Sequence, residues 1–142
     1  MALKFRVVER KVLNGEEAGL VKNYARAKAS GYTDLTKLCK LISARSTLSS
    51  ADVKAVIDSL NWVMDLELNS GNIVQLGEFG NFRLSLNSAG TLDKEDFTVS
   101  KIRKARIVFT PGASLKLTAK ETVFVPDDVK EVEQKCTETH IG

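Results

Sequence analysis

Four of the six residues from Lys101 to Arg106 are cations: Lys101, Arg103, Lys104 and Arg106. So many bases on one short segment exceed what solubility asks for. The chemistry open to them is replacing condensed counterions on a polyphosphate. The competing reading is a charged edge strand that discourages aggregation. Arg83 has a similar claim from an earlier alternating segment. Arg26 and Lys28, two residues apart, either widen such a patch or only solvate their own strand. No catalytic set assembles: the single histidine, His140, stands two residues from the end, where a precise general base is not expected. Two cysteines, Cys39 and Cys136, with one histidine cannot close a tetrahedral zinc site. Reduced thiols are expected at both. Asp93, Glu95 and Asp96 read as a solvated acidic loop. Neither an enzyme nor a cofactor is therefore expected.

The segment that positions the four bases, Lys101–Phe109, reads as a strand with a strongly basic first half. On a strand, Lys101 and Arg103 share one face, and Lys104 and Arg106 share the other. It returns from a loop, Asn87–Ser100, which leaves an alternating strand at Asn81–Leu86. There Phe82, Leu84 and Leu86 take one side, with Arg83 and Ser85 on the other. Before that come a strand at Ile73–Leu76 and the glycine turn Gly77–Gly80. Two helices precede the turn. The first spans about Asp34–Arg45, with Thr33 or Asp34 as its cap and Leu35, Leu38, Cys39, Leu41 and Ile42 on one face. The second runs to about Asn69 from a capping box of Ser49 and Asp52. Its stripe of Val53, Val56, Ile57, Leu60, Val63 and Met64 leaves Trp62 outside, and a second apolar face suggests a partner subunit.

Upstream, Leu3–Val12 alternates as a strand with one wet face. Asn23–Ser30 also alternates, with Tyr24, Arg26 and Lys28 on one parity and alanines on the other; a strand explains this best, and a helix stays open. Together the two form an N-terminal hairpin. Beyond Pro111-Gly112, Ala113–Lys120 is ambiguous, and Val123–Val125 reads as an edge strand stopped by Pro126.

Charge is uneven along the 142 residues. Residues 1–120 hold 19 of the 21 Lys and Arg against 12 acids, a net +7, whereas 121–142 hold two Lys and six acids, a net −4. A basic body with an acidic end suits a polyanionic partner. No apolar run approaches the roughly 18–20 residues of a membrane span, and residues 1–8 carry no signal-peptide core. The expected domains are an N-terminal β extension over 1–33 packing on the main fold, a main domain over 34–126, and an acidic, mobile tail over 127–142.

The motifs Leu48-Ser49, Gly71, Val74-Gln75-Leu76, Phe79-Gly80-Asn81-Phe82, Phe109-Thr110-Pro111-Gly112 and Leu115-Lys116 follow one another at family-like spacing. Over Asp34–Lys116 the chain resembles the HU/IHF family of bacterial histone-like proteins. With Phe5-Arg6-Val7-Val8 and Tyr24-Ala25-Arg26-Ala27 included, it looks like the extended HU-like proteins of Bacteroidetes. The resemblance implies an α+β fold in which a helical base lies under an antiparallel sheet with a β-arm, in an intertwined homodimer. It also implies architectural, sequence-tolerant binding of double-stranded DNA in the cytoplasm, at the bacterial nucleoid, with no membrane or small-molecule partner. Lys116 joins the candidate DNA contacts on this basis. The chain departs from the family at the arm, which lacks the Arg-Asn-Pro tip. Leu92 and Phe97 are the only apolar residues there able to wedge, and both are expected to anchor the loop instead. Ser85, Asn87, Thr110 and Ala113 stand where relatives place bases. A protein-interaction or assembly module that has lost its DNA grip is the alternative.

Overall fold

Alternation and capping set most of the elements. A computed structural model describes residues 2–127, in the order β1 (Leu3–Lys11), β2 (Val21–Lys28), α1 (Leu35–Arg45), α2 (Ser50–Asn69), β3 (Val74–Gln75), β4 (Gly80–Ser85), β5 (Arg106–Pro111), α3 (Ala113–Lys120) and β6 (Phe124–Pro126). Short 3-10 turns lie at Gly77–Phe79, Lys94–Asp96 and Val99–Lys101. The chain divides into two units. One contains residues up to Tyr32 together with 121–127, the other Thr33–Lys120.

In the first unit, β1 and β2 form an antiparallel hairpin in register from Lys4↔Lys28 to Lys11↔Val21. Its loop is closed by Val12 N–H to Leu20 O and Gly19 N–H to Val12 O, each 2.8 Å. Strand β6 adds to the other edge of β1 in parallel, Leu3↔Phe124 through Phe5↔Pro126. The strand ends at Pro126, as its sequence suggests. Pro126 is its last paired residue, opposite Phe5, and the next amide, of Asp127, donates to Phe5 O at 2.9 Å. A proline is tolerated there because β6 is an edge strand. Sequence patterning carries the main domain to 126, whereas residues 121–127 group with the hairpin through this parallel pairing. Helix is excluded for Asn23–Ser30, since cross-strand pairing to β1 decides its conformation.

In the second unit, Asp34 caps α1 by accepting from Lys37 N–H at 2.8 Å. The capping box of α2 is complete in both directions, the Asp52 amide donating to Ser49 Oγ and the Ser49 amide to the Asp52 carboxylate, each at 3.1 Å. The two helices pack on one another, and Cys39, Val53 and Leu68 are the buried apolar residues among those described. Above α2 lies the antiparallel sheet β3-β4-β5. The turn between β3 and β4 needs its glycine. Gly80 has φ 135°, and a Cβ there would strike the Thr110 carbonyl and the Phe109 ring. Gly112 is equally confined, since a Cβ there would strike the Glu78 carbonyl. Phe79, Phe82 and Phe109 form a cluster with ring centroids 4.8–6.3 Å apart. An apolar groove of about 510 Å³ between α2 and this cluster is lined by Ile57, Leu60, Met64, Leu76, Phe79 and Phe82, with Asn61.

Two expectations are corrected by the structure. Lys101–Phe109 is not one strand: β5 starts at Arg106, Lys101 ends a 3-10 turn, and Arg103–Ala105 have no regular structure. The extended β-arm is likewise absent among the described residues. Residues 86–105 fold into turns held by a single bridge, Ser88↔Ile102. A polar run such as Asn87–Ser100 has no alternating apolar residues to bury, so local 3-10 hydrogen bonds displace a long ladder.

Candidate nucleic-acid interface

Register assigns the side chains of the second sheet to two unlike faces. Facing residues of an antiparallel pair share a side. Phe82↔Phe109 and Leu84↔Ile107 therefore take the face toward the phenyl cluster. Asn81↔Thr110, Arg83↔Val108 and Ser85↔Arg106 take the other. Arg83 and Arg106 are diagonal neighbours on that polar face, and both are exposed. Diagonal Cβ atoms on a sheet lie about 7–8 Å apart, so the two guanidinium groups can grip adjacent anionic oxygens.

The path of the loop determines where the remaining bases go. From Ser85↔Arg106 to Ser88↔Ile102 the chain advances three residues on one side and four on the other. One extra residue on the basic side is a β-bulge. Ala89 N–H donates to Lys101 O at 2.9 Å and Arg103 N–H to Asn87 O at 2.7 Å, which sets Lys101 and Arg103 opposite Ala89 and Asn87. Residues 86–87 and 103–105 are outside the strands, so these bonds set Lys101 and Arg103 beside one another on the loop next to the sheet that carries Arg83 and Arg106. Lys104 falls in the bulge itself. Among the described residues, no carboxylate pairs with Arg83, Lys101, Arg103, Lys104 or Arg106. Lys116 lies apart, on the exposed side of α3.

At the loop tip Leu92 is fully exposed, so it anchors nothing; Phe97 retains partial cover. The acidic residues Asp93, Glu95 and Asp96 are exposed around a 3-10 turn.

Arg26 and Lys28 belong to the first unit. There they lie opposite Arg6 and Lys4, and Lys22 lies opposite Arg10. Sequence patterning does not single out Lys4, Arg6, Arg10 or Lys22, and it shows Lys4 and Arg6 only as the wet face of a strand. The register that pairs cation with cation depends on a nine-residue loop, 12–20, whose geometry no local motif announces. The other face of this hairpin is apolar toward its open end, where Leu3, Phe5, Ala25, Ala27 and Phe124 line a groove, and carries Glu9, Asn23 and Lys11 toward the loop.

Asp127 stands over the basic face. Its carboxylate accepts a hydrogen bond from Lys28 Nζ and lies 4.0 Å from Lys4 Nζ. The Lys28 bond, aided by the charges of Lys28, Lys4 and Arg6 and opposed by desolvation, holds its pKa below the ordinary carboxylate range. Of the expected acidic tail, 128–142 lie outside the described residues, as do Cys136 and His140.

A family model described as an HU domain fused to a wHTH, Ig or glycine-rich motif matches residues 1–125. The chain belongs to the HU-HIG family. The HU-HIG match takes in the N-terminal hairpin as well as the sheet that bears Arg83 and Arg106. The fold is also similar to a crystal structure from Bacteroides vulgatus ATCC 8482, of a protein provisionally named a bacterial DNA binding protein. The TM-score is 0.60 at 11% identity, over 89% of this chain and 48% of that one. At that identity the likeness shows the fold alone, and this HU-HIG chain spans about half the length of that relative. No curated protein matches. Among the described residues, no helix is long and apolar enough to cross a membrane.

Proposed function

We propose that the protein is a sequence-tolerant, homodimeric DNA-binding protein acting architecturally at the bacterial nucleoid, with no catalytic role. One observation carries this reading: Arg83 and Arg106 are diagonal neighbours on one polar face, with Lys101 and Arg103 on the adjoining loop and no carboxylate paired to any of the four among the described residues, on a sheet whose other face is apolar. Membership of an HU-domain family supports DNA as the polyanion. The scarcity of buried residues supports the dimer. Trp62 is 66% exposed on α2, and Phe79 and Ile107 are also open on a single chain. A second copy would supply the missing core. The folded loop, without the proline tip, favours binding through phosphates and shape over strong kinking.

The test is duplex DNA binding by Arg83→Gln/Lys101→Gln/Arg103→Gln/Arg106→Gln. The variant is expected to bind at least about tenfold more weakly near 0.1 M salt. Its salt slope should be shallower by about 0.9 for each phosphate it no longer neutralises. Unchanged affinity and slope would remove this face from the interface.

A further inference from the structure

The first unit carries a second cationic surface that the sheet of the HU domain does not explain. Three of its cross-strand pairs oppose like charges: Lys4↔Lys28, Arg6↔Arg26 and Arg10↔Lys22. Val8↔Tyr24 lies between the last two. Like charges directly opposite on a sheet destabilise it, where alternating signs would stabilise it. Three such pairs on one short hairpin therefore work against folding. Same-face residues repeat about every 6.7 Å along a strand, so the row from Lys4 to Arg10 extends about 20 Å. A duplex advances about 3.4 Å per phosphate on each strand, and a row of that length can follow several phosphates. Tyr24 adds an amphipathic ring within the row.

The neutralisation of this face is partial and sits at its ends. Glu17 pairs with Lys22 at one end, and Asp127 pairs with Lys28 and Lys4 at the other. Arg26 and Arg10 have no carboxylate partner among the described residues, and Arg6 forms no ion pair there although its charge reaches Asp127. The Asp127 carboxylate is held in place from its backbone, because its amide extends the β6 pairing to Phe5 O. An anion fixed between two lysines of opposite strands occupies the position a phosphate would take.

We propose that the basic face of the N-terminal sheet is a second duplex-DNA surface, gripping the phosphate backbone through Arg6, Arg26 and Arg10, with Asp127 as a built-in competitor at the Lys4–Lys28 end. It rests on the DNA-binding reading above and adds a site that can fail separately. Arg6→Gln/Arg26→Gln relieves a like-charge pair, so the thermal midpoint should stay level or rise. Duplex affinity of the full chain should nevertheless fall several-fold, with a salt slope shallower by about 0.9 for each phosphate released from the face. Asp127→Asn should tighten binding at low salt, and the effect should vanish in the Lys4→Gln/Lys28→Gln background.

Both variants are to be measured beside Arg83→Gln/Arg106→Gln on the same random-sequence duplex. Unchanged affinity in Arg6→Gln/Arg26→Gln overturns this proposal. If Arg83→Gln/Arg106→Gln is weakened in the same series, the first surface stands alone. If neither variant is weakened, both assignments fall. If only the hairpin variant is weakened, the N-terminal surface is the principal one and the assignment of the second sheet is wrong.

Discussion

The capping box at the start of α2 shows how single residues carry both stability and pH response. The Ser49 hydroxyl and amide hold the Asp52 carboxylate, first through the side chain and then through the backbone, and its pKa lies below the ordinary carboxylate range. A lowered folded pKa means the contribution is complete above the ordinary carboxylate range and is lost as pH falls through the lowered value. Asp52→Asn should therefore flatten the acid limb of a melting-temperature profile while changing little at higher pH. Ser49→Ala should cost about 0.5–2 kcal/mol at neutral pH, read by urea unfolding. Leu68→Ala, at one of the buried positions, should cost more, about 2–5 kcal/mol. Both caps were legible in the sequence, because a cap is set by residues within three positions of one another. The exposure of Leu92 was not. Whether an apolar loop residue finds cover depends on the path of the whole loop. Leu92→Ala should leave stability within about 0.5 kcal/mol of the parent.

Helices and the glycine turn followed from local pattern, whereas pairings between distant segments did not. The period of α1 and α2 and the alternation Phe82-Arg83-Leu84 are properties of a few neighbouring residues. The bulge between Arg106 and Ile102 is a relation between two segments, and alternation alone misplaces every side chain beyond a one-residue slip. The same holds for β6, whose partner β1 lies over 100 residues away in sequence. At Gly80 and Gly112 the constraint is spatial. Gly80→Ala should destabilise the sheet by at least about 1–3 kcal/mol, through a φ of 135° and the clash with Thr110 and Phe109. A thermal midpoint unchanged by this substitution would contradict the packing assigned to the turn.

At the scale of the molecule, each of the two sheets carries cations on one face and an apolar cluster on the other, and few of the described residues are buried. The proposed dimer would supply the interior that the single chain lacks, so the melting temperature should rise with protein concentration. A concentration-independent midpoint, with a monomeric mass in sedimentation, would contradict the dimer. Composition announced the basic body. The uneven charge of residues 1–120 against 121–142 pointed to a polyanion before any geometry was available, although it did not distinguish one basic surface from two. The most direct test of DNA binding through phosphates is the affinity of the full chain for several unrelated duplexes, titrated with salt. Log K is expected to fall steeply and linearly with log salt, with nearly the same slope and affinity for every duplex. An affinity insensitive to salt, or confined to one sequence, would contradict it.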